Sequence, residues 1–215
     1  MDKKSEIKDC LAATKVIAIL RGMAPEVCVK LAAAYQEGGI RLVEVTFNQV
    51  GRLEDTVTAI RVIRSAHPGM HVGAGTVLTA EQLDLAIGAG AEFIVTPNTN
   101  PELIRKANAA GLVTMPGAMT PTEAVTAWEA GSDYVKVFPA GSLGPGYVKA
   151  LVAPLSHIPF LAVGGVSSGN VGDFVRAGCV GAGVGGNLTN REWIAAGAWD
   201  RIAETAKALV ANAQV

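Results

Sequence analysis

The stretch Arg41–Phe47 reads RLVEVTF and the stretch His71–Val77 reads HVGAGTV, and the residues between them follow a helical pattern. Each stretch is a short, nearly continuous apolar run rich in β-branched residues, which is typical of a strand covered by helices. A strand, a helix and a second strand of these lengths form one unit of a parallel sheet. These two stretches therefore place the chain in the α/β class.

Six further runs of the same kind occur, and all eight begin about 20–30 residues apart. They are Lys15–Leu20, Arg41–Phe47, His71–Val77, Phe93–Thr96, Leu112–Met115, Tyr134–Phe138, Phe160–Val163 and Gly181–Val184. Eight such units predict a closed (β/α)8 TIM barrel, with residues 1–215 in a single domain. Ser5–Ala13 predicts an extra N-terminal helix that closes the barrel floor, and Trp193–Ala211 predicts the last helix.

Capping signals mark the helices between the strands. Thr79, Asn100 and Thr120 each precede a helical pattern, where a side-chain oxygen can accept hydrogen bonds from free backbone N–H groups. Several helical patterns are followed by glycine, which readily takes the left-handed conformation that ends a helix. These glycines are Gly38, Gly90, Gly111, Gly131 and Gly178.

The composition favours a folded protein with a small-molecule substrate. Of the 215 residues, 50% are hydrophobic and 17% are charged, and the net charge is −1. No basic run indicates a nucleic-acid or acidic membrane surface, and no segment approaches the roughly 20 apolar residues of a membrane span. Three cysteines without CxxC spacing fit a reducing compartment. We therefore expect a cytoplasmic protein that binds neither nucleic acid nor membrane.

Lys136 stands inside the apolar run Tyr134–Pro139, which reads YVKVFP. A lysine in a core strand is costly unless it is paired or used. Desolvation lowers a lysine pKa and so increases the share of neutral amine, the species that attacks a carbonyl. The pattern predicts Lys136 as a catalytic nucleophile, and the alternative is an interior lysine held in a salt bridge.

Glu44 occupies the equivalent place in the run Leu42–Phe47. A carboxyl group in a half-apolar site can have a raised pKa and transfer protons near neutral pH. We predict Glu44 as the general acid/base; the alternative is a buried ion pair with Lys136. Because buried ion pairs stabilise weakly, two opposite charges inside two strands indicate a functional site.

Four further residues are expected at the carboxyl ends of the strands, where barrels carry their chemistry. Arg21 ends the first run and can bind a carboxylate with its planar guanidinium, unless it simply lies on the surface at a turn. Thr76 follows two glycines and offers a hydroxyl to the same carboxylate. Pro97 and Phe138 are expected to line the mouth, Phe138 as an apolar wall.

Two pairs of glycines follow the last two strands. Gly164 and Gly165 come after the seventh run, and Gly185 and Gly186 after the eighth. Loops in these places commonly bind phosphate in barrels through free backbone N–H groups. The pairs therefore predict a phosphate site, and the alternative is that they only allow tight turns.

The three histidines suggest no metal site. His67, His71 and His157 lack metal-ligand spacing with cysteines or carboxylates. No dinucleotide or P-loop fingerprint occurs in a suitable context. We therefore expect no metal and no cofactor.

Taken in order, seven short motifs resemble the 2-keto-3-deoxy-6-phosphogluconate/4-hydroxy-2-oxoglutarate aldolase family, including its 2-keto-3-deoxy-6-phosphogalactonate branch. They are Ile17–Gly22 (IAILRG), Glu44–Thr46 (EVT), Gly73–Leu78 (GAGTVL), Val95–Asn98 (VTPN), Pro116–Gly117, Lys136–Pro139 (KVFP) and Val163–Val166 (VGGV). They span almost the whole chain, so the resemblance is specific.

The resemblance implies a metal-independent class I aldolase that forms pyruvate and D-glyceraldehyde 3-phosphate from a phosphorylated keto acid, and a homotrimer. It implies that Lys136 forms the Schiff base and Glu44 transfers protons. It further implies that Arg21 and Thr76 bind the carboxylate, and that the two glycine pairs hold the phosphate. Asn48 stands where the phosphogluconate enzymes often carry Arg, which resembles the phosphogalactonate branch, whereas Thr46 resembles the phosphogluconate pattern. Asn187 falls near a phosphate-binding Ser of some relatives.

Two other functions are compatible with the same residues. A phosphosugar isomerase or epimerase would share the glycine pairs and use Glu44 as a base, with Lys136 as its electrostatic partner. A non-catalytic sugar-phosphate binding protein would need the glycine loops but no interior lysine and glutamate.

Overall fold

The computed structural model describes residues 2–215 and, within them, nine parallel strands that alternate with helices. The strands are β1 (Val16–Leu20), β2 (Leu42–Thr46), β3 (His71–Gly75), β4 (Phe93–Val95), β5 (Val113–Met115), β6 (Gly117–Ala118), β7 (Val135–Val137), β8 (Phe160–Val163) and β9 (Gly181–Val184). The helices are α1 (Lys3–Thr14), α2 (Pro25–Glu37), α3 (Leu53–Ala66), α4 (Ala80–Ala89), α5 (Pro101–Ala109), α6 (Pro121–Glu129), α7 (Ala140–Val152), α8 (Val171–Arg176), α9 (Arg191–Ala195) and α10 (Trp199–Asn212). The predicted TIM barrel is confirmed, with each of the eight predicted strands present.

The fifth barrel strand consists of two pieces, β5 and β6, on either side of Pro116. β5 pairs with β4, whereas β6 pairs with β7. The Met115 carbonyl accepts a hydrogen bond from the Thr96 N–H at 3.3 Å, and the next carbonyl, that of Pro116, accepts one from the Lys136 N–H at 2.8 Å. The strand therefore pairs with β4 before Pro116 and with β7 after it. The peptide bonds that join β5 to β6 close the barrel.

Apolar side chains from alternate strand positions fill the barrel interior. Phe93 occupies the space beside Gly73, because a Cβ atom on Gly73 would lie 2.3 Å from the Phe93 ring. Ile7 and Leu11 of α1 belong to the same interior cluster and are almost fully buried. The predicted N-terminal helix therefore exists and covers the floor of the barrel.

The helix boundaries agree with the capping signals except near the end of the chain. Thr79, Asn100 and Thr120 are the N-caps of α4, α5 and α6, and each side chain accepts a hydrogen bond from a backbone N–H. The prediction of one helix over Trp193–Ala211 was wrong: the structure has α9 and α10 there. Gly197 between them has φ 66°, a left-handed conformation that interrupts the helix.

Two carboxylates attach α1 to the floor of the barrel. Glu92 lies 3.0 Å from Lys3 Nζ and 3.0 Å from His71 Nδ1, and Asp133 lies 2.6 Å from Lys8 Nζ. Burial alone would raise the pKa of Glu92, but hydrogen bonds from His71 and Lys3 and the charge of Lys3 outweigh it and lower the pKa to about 2. The ionised form of Glu92 is therefore favoured in the folded chain.

We expect the free energy of unfolding to fall as the pH drops from about 4.5 towards about 2, the interval between the ordinary and the folded-state pKa of Glu92. In that interval the unfolded chain binds more protons than the folded chain. Glu92→Gln should be less stable at pH 7 and should show a weaker pH dependence, as measured by urea unfolding. Asp84→Asn, which removes an exposed partner of Lys106, is the control and should change little. Identical pH profiles for wild type and Glu92→Gln would contradict this role.

Candidate active site

A cavity of about 700 Å³ opens at the carboxyl ends of the strands. It brings together eight of the ten predicted site residues, all except Thr76 and Pro97. Its walls come from five regions of the chain: β1 with its loop, β2, β7, β8 with its loop, and β9 with its loop. The lining residues are Ile19, Arg21, Glu44, Lys136, Phe138, Val163, Gly164, Gly165, Val166, Ser167, Gly183, Gly185, Gly186 and Asn187.

Lys136 lies in the middle of β7, between Gly117 of β6 and Leu161 of β8. Only 6% of the residue is exposed, and its Nζ lies 4.6 Å from the centre of the Phe138 ring. Burial lowers the pKa of Lys136; Glu44 opposes this effect and Arg21 adds to it. The site therefore increases the share of neutral amine.

Glu44 lies in the middle of β2 and is 3% exposed. Burial raises the pKa of its carboxyl group, against the opposing charges of Lys136 and Arg21. The carboxyl group occupies the space beside Gly75 of β3, since a Cβ atom on Gly75 would lie 1.8 Å from Glu44 Oε1. Any side chain at position 75 would displace the Glu44 carboxyl group. Glycine at this position is therefore required for the carboxyl group to occupy its place.

Lys136 and Glu44 face the same cavity without forming an ion pair. Among residues 2–215, no salt bridge within 4.0 Å joins them. Their pKa values shift in opposite directions, which favours a neutral amine beside a protonated carboxyl group. Such a pair can add an amine to a ketone and supply the accompanying proton transfers.

Arg21 connects this cavity to a smaller one of about 320 Å³, which Thr76 and Asn48 also line. The Thr76 hydroxyl lies 3.5 Å from Arg21 Nη2, so the two predicted carboxylate-binding groups are adjacent. Pro97 follows β4 and is half-buried outside the larger cavity. Its carbonyl packs against Gly117, where a Cβ atom would lie 2.4 Å from the Pro97 oxygen.

The glycine pairs lie next to each other because β8 pairs with β9, and Gly185 lies beside Ile19 of β1. Gly164 and Gly165 have φ of 89° and 75°, a left-handed conformation that favours glycine. In the described part of the chain, the N–H groups of Gly165 and Gly186 donate to no backbone carbonyl. Free N–H groups of this kind attract anions. Ser167 and Asn187, on the same loops, add polar side chains to this end of the cavity.

The sequence analysis did not predict five of the lining residues: Ile19, Val163, Val166, Ser167 and Gly183. The period of two in a strand would have identified Ile19, two positions before Arg21, and Val163, two positions before Gly165.

A further cavity of about 500 Å³ lies between β1, β2 and helices α2 and α3, and Asn48 lines it. Asn48 thus lines both this cavity and the smaller one that Arg21 and Thr76 share.

The described residues 2–215 contain no group of three or more His, Cys, Asp or Glu side chains that could hold a metal ion. None of their helices is both long and apolar enough to cross a membrane.

A TIM barrel with a buried lysine and glutamate at its mouth has the architecture of a class I aldolase. The family described as "Aldolase: KDPG and KHG aldolase" matches residues 7–205, and the chain belongs to this family. It is therefore an aldehyde-lyase, which decides against the alternatives of an isomerase and of a non-catalytic binding protein.

Similar proteins support the family assignment in sequence and in structure. The chain is 42% identical over 174 residues to 2-dehydro-3-deoxy-6-phosphogalactonate aldolase of Escherichia coli K12, covering 80% of this chain and 83% of the relative. The solved structure of native KDPGal is 38% identical, with a TM-score of 0.82 over 92% of this chain and 93% of that one. A KDPG aldolase of Legionella pneumophila, with pyruvate captured as a covalent carbinolamine intermediate, is 27% identical, with a TM-score of 0.83 over 93% and 96% of the two chains.

Proposed function

We propose that this aldolase cleaves a 2-keto-3-deoxy-6-phospho-aldonate to pyruvate and D-glyceraldehyde 3-phosphate through a Schiff base on Lys136. The observation that carries the proposal is the position of Lys136, buried in β7 and facing the same cavity as Glu44, with no salt bridge to any residue between 2 and 215. Covalent capture of pyruvate in the relative from Legionella pneumophila supports it. 4-Hydroxy-2-oxoglutarate is proposed as a second substrate.

In this mechanism the neutral Lys136 amine attacks the C2 ketone, and Glu44 supplies and removes the protons needed to expel water. The resulting iminium withdraws electrons from the C3–C4 bond. Glu44, directly or through a water molecule, accepts the proton of the C4 hydroxyl as that bond breaks and the aldehyde leaves. The enamine is then protonated at C3, and hydrolysis releases pyruvate and the free amine.

The two ends of the substrate are assigned by charge. Arg21 and Thr76 bind the carboxylate, because a guanidinium and a hydroxyl can share its two oxygens. The backbone N–H groups of Gly165 and Gly186 receive the phosphate, with Gly164 and Gly185 completing the loops. Phe138 and Ile19 form the apolar wall beside the reacting carbons. Pro97 is proposed to support the mouth through its contact with Gly117.

We infer that the phosphogalactonate-type epimer is the preferred substrate. The 42% identical relative carries that name, and Asn48 stands where the other branch often has Arg. A pyruvate-release assay should give a higher kcat/KM for 2-keto-3-deoxy-6-phosphogalactonate than for the phosphogluconate epimer or 4-hydroxy-2-oxoglutarate. A preference for the gluconate epimer would overturn the assignment of the branch and leave the aldolase chemistry in place.

We further propose one domain over residues 1–215, a homotrimer and a cytoplasmic location. The strand order that includes every strand, together with α1 on the barrel floor, supports a single domain. The homotrimer rests on the resemblance to the aldolase family, and sedimentation equilibrium tests it. Free Cys10, Cys28 and Cys179 fit a reducing compartment.

A further inference from the structure

Thr76 has a backbone conformation that β-branched residues rarely adopt. It follows β3 directly and has φ 54°, in the left-handed region. For such a residue this conformation persists only when the surrounding structure holds it. In this conformation the Thr76 hydroxyl lies 3.5 Å from Arg21 Nη2. The groups that hold the Thr76 backbone therefore also determine whether Thr76 contacts Arg21.

Two glutamines provide a hydrogen-bonded connection to Thr76. Gln49, in the loop between β2 and α3, donates from Nε2 to the Thr76 carbonyl at 3.0 Å. Gln82, in the first turn of α4, donates from Nε2 to Gln49 Oε1 at 2.9 Å. The Thr76 carbonyl is thus attached to a helix through two side-chain amides.

Hydrogen bonds at the start of α4 determine which amide atoms donate and which accept along this connection. Gln82 Oε1 accepts hydrogen bonds from the N–H groups of Leu78 at 2.7 Å and Thr79 at 3.3 Å. Backbone N–H groups only donate, so the Gln82 amide must present Nε2 to Gln49. Gln49 must in turn present Oε1 to Gln82 and Nε2 to Thr76. Because Gln82 is only 4% exposed, water competes weakly for its amide.

We propose that Gln49 and Gln82 are positioning residues for the carboxylate-binding end of the active site. They hold the Thr76 carbonyl, and with it the left-handed backbone, so that the hydroxyl meets the substrate carboxylate together with Arg21. Gln82 lines neither the cavity that contains Lys136 nor the smaller one next to it. Gln49 lines the smaller cavity beside Arg21 and Thr76 but not the one that contains the reacting atoms at Lys136. This role rests on the proposed function of Arg21 and Thr76.

Gln82→Glu separates this role from helix capping. The carboxylate keeps the oxygen that accepts from Leu78 and Thr79 but removes the Nε2 donor. Gln49 must then turn its own Nε2 towards position 82, which leaves its oxygen against the Thr76 carbonyl. We expect KM for the phosphorylated keto acid to rise about three- to tenfold, the effect of one hydrogen bond, with kcat within about twofold of wild type.

Gln49→Leu removes the same donor without changing α4 and should give the same split between KM and kcat. The double variant should be no worse than either single variant, because both break one connection. The pyruvate concentration that half-saturates borohydride inactivation should rise in parallel. Gln214→Leu, which removes a glutamine donor to the Ala13 carbonyl at the other end of the barrel, is the matched control.

The outcomes distinguish this inference from the proposed function. Unchanged KM in both single variants, or additive effects in the double variant, would overturn the positioning role while wild type is still trapped with pyruvate. If wild-type protein itself gains no pyruvate adduct, the proposed function fails first.

Discussion

Lys136→Met is expected to abolish the borohydride-stable adduct with pyruvate and to lower turnover on the order of 10⁴-fold or more, because the covalent intermediate can no longer form. The folded protein should survive the change. The pKa of Lys136 is lowered by burial, so at neutral pH the charged form costs stability in the folded state, and methionine removes that cost. Mass spectrometry after reduction and a coupled pyruvate assay give the two readouts, and thermal unfolding gives the third.

Lys106→Met serves as the control for this experiment, since Lys106 forms an exposed ion pair with Asp84 on the outside of the barrel. It should retain full trapping and activity. An adduct on the Lys136→Met protein, or near-normal turnover, would mean that another amine performs the chemistry and that the proposed mechanism is wrong.

Glu44→Gln is expected to slow turnover by about 10²–10⁴, the usual contribution of a positioned general acid/base. Glutamine has nearly the same shape and still fits beside Gly75. Because Lys136 remains, the variant should still be trapped by pyruvate and borohydride, but more slowly than wild type, since Glu44 also supplies the protons needed to form the iminium.

The pH profile gives a second readout for Glu44. In wild type, burial raises the pKa of Glu44 and lowers the pKa of Lys136, so both groups titrate away from the pH at which the free side chains do. Glu44→Gln should lose the limb that belongs to the carboxyl group and keep the limb that belongs to the amine. Glu129→Gln, on the exposed surface of α6, should leave the profile unchanged. A profile with both limbs in Glu44→Gln would assign the acid limb to another group.

The site residues that the structure brings to one cavity were predicted from local patterns. A charged residue inside an apolar strand is visible in the sequence, so Lys136 and Glu44 could both be identified, and the capping residue Thr79 marks the start of α4 in the same way. The glycine pairs could be identified because each pair follows its strand, β8 or β9, directly in the sequence.

The features that were missed depend on contacts between distant segments. That Glu44 occupies the space of Gly75 follows from the register of β2 and β3, which the individual runs do not specify. The change of neighbours at Pro116 likewise depends on the two flanking strands. The hydrogen bonds from Gln82 through Gln49 require two loop conformations that no periodic pattern encodes.

The helix beneath the barrel has a kinetic consequence. Ile7 and Leu11 fill the floor of the barrel. We therefore expect the substrate and both products to pass through the opening at the carboxyl ends of the strands. The aldehyde is free once the C3–C4 bond breaks, whereas the three-carbon fragment is still attached to Lys136, so we expect the aldehyde to leave first. The water that hydrolyses the remaining iminium must then enter from the same end of the barrel by which the aldehyde left.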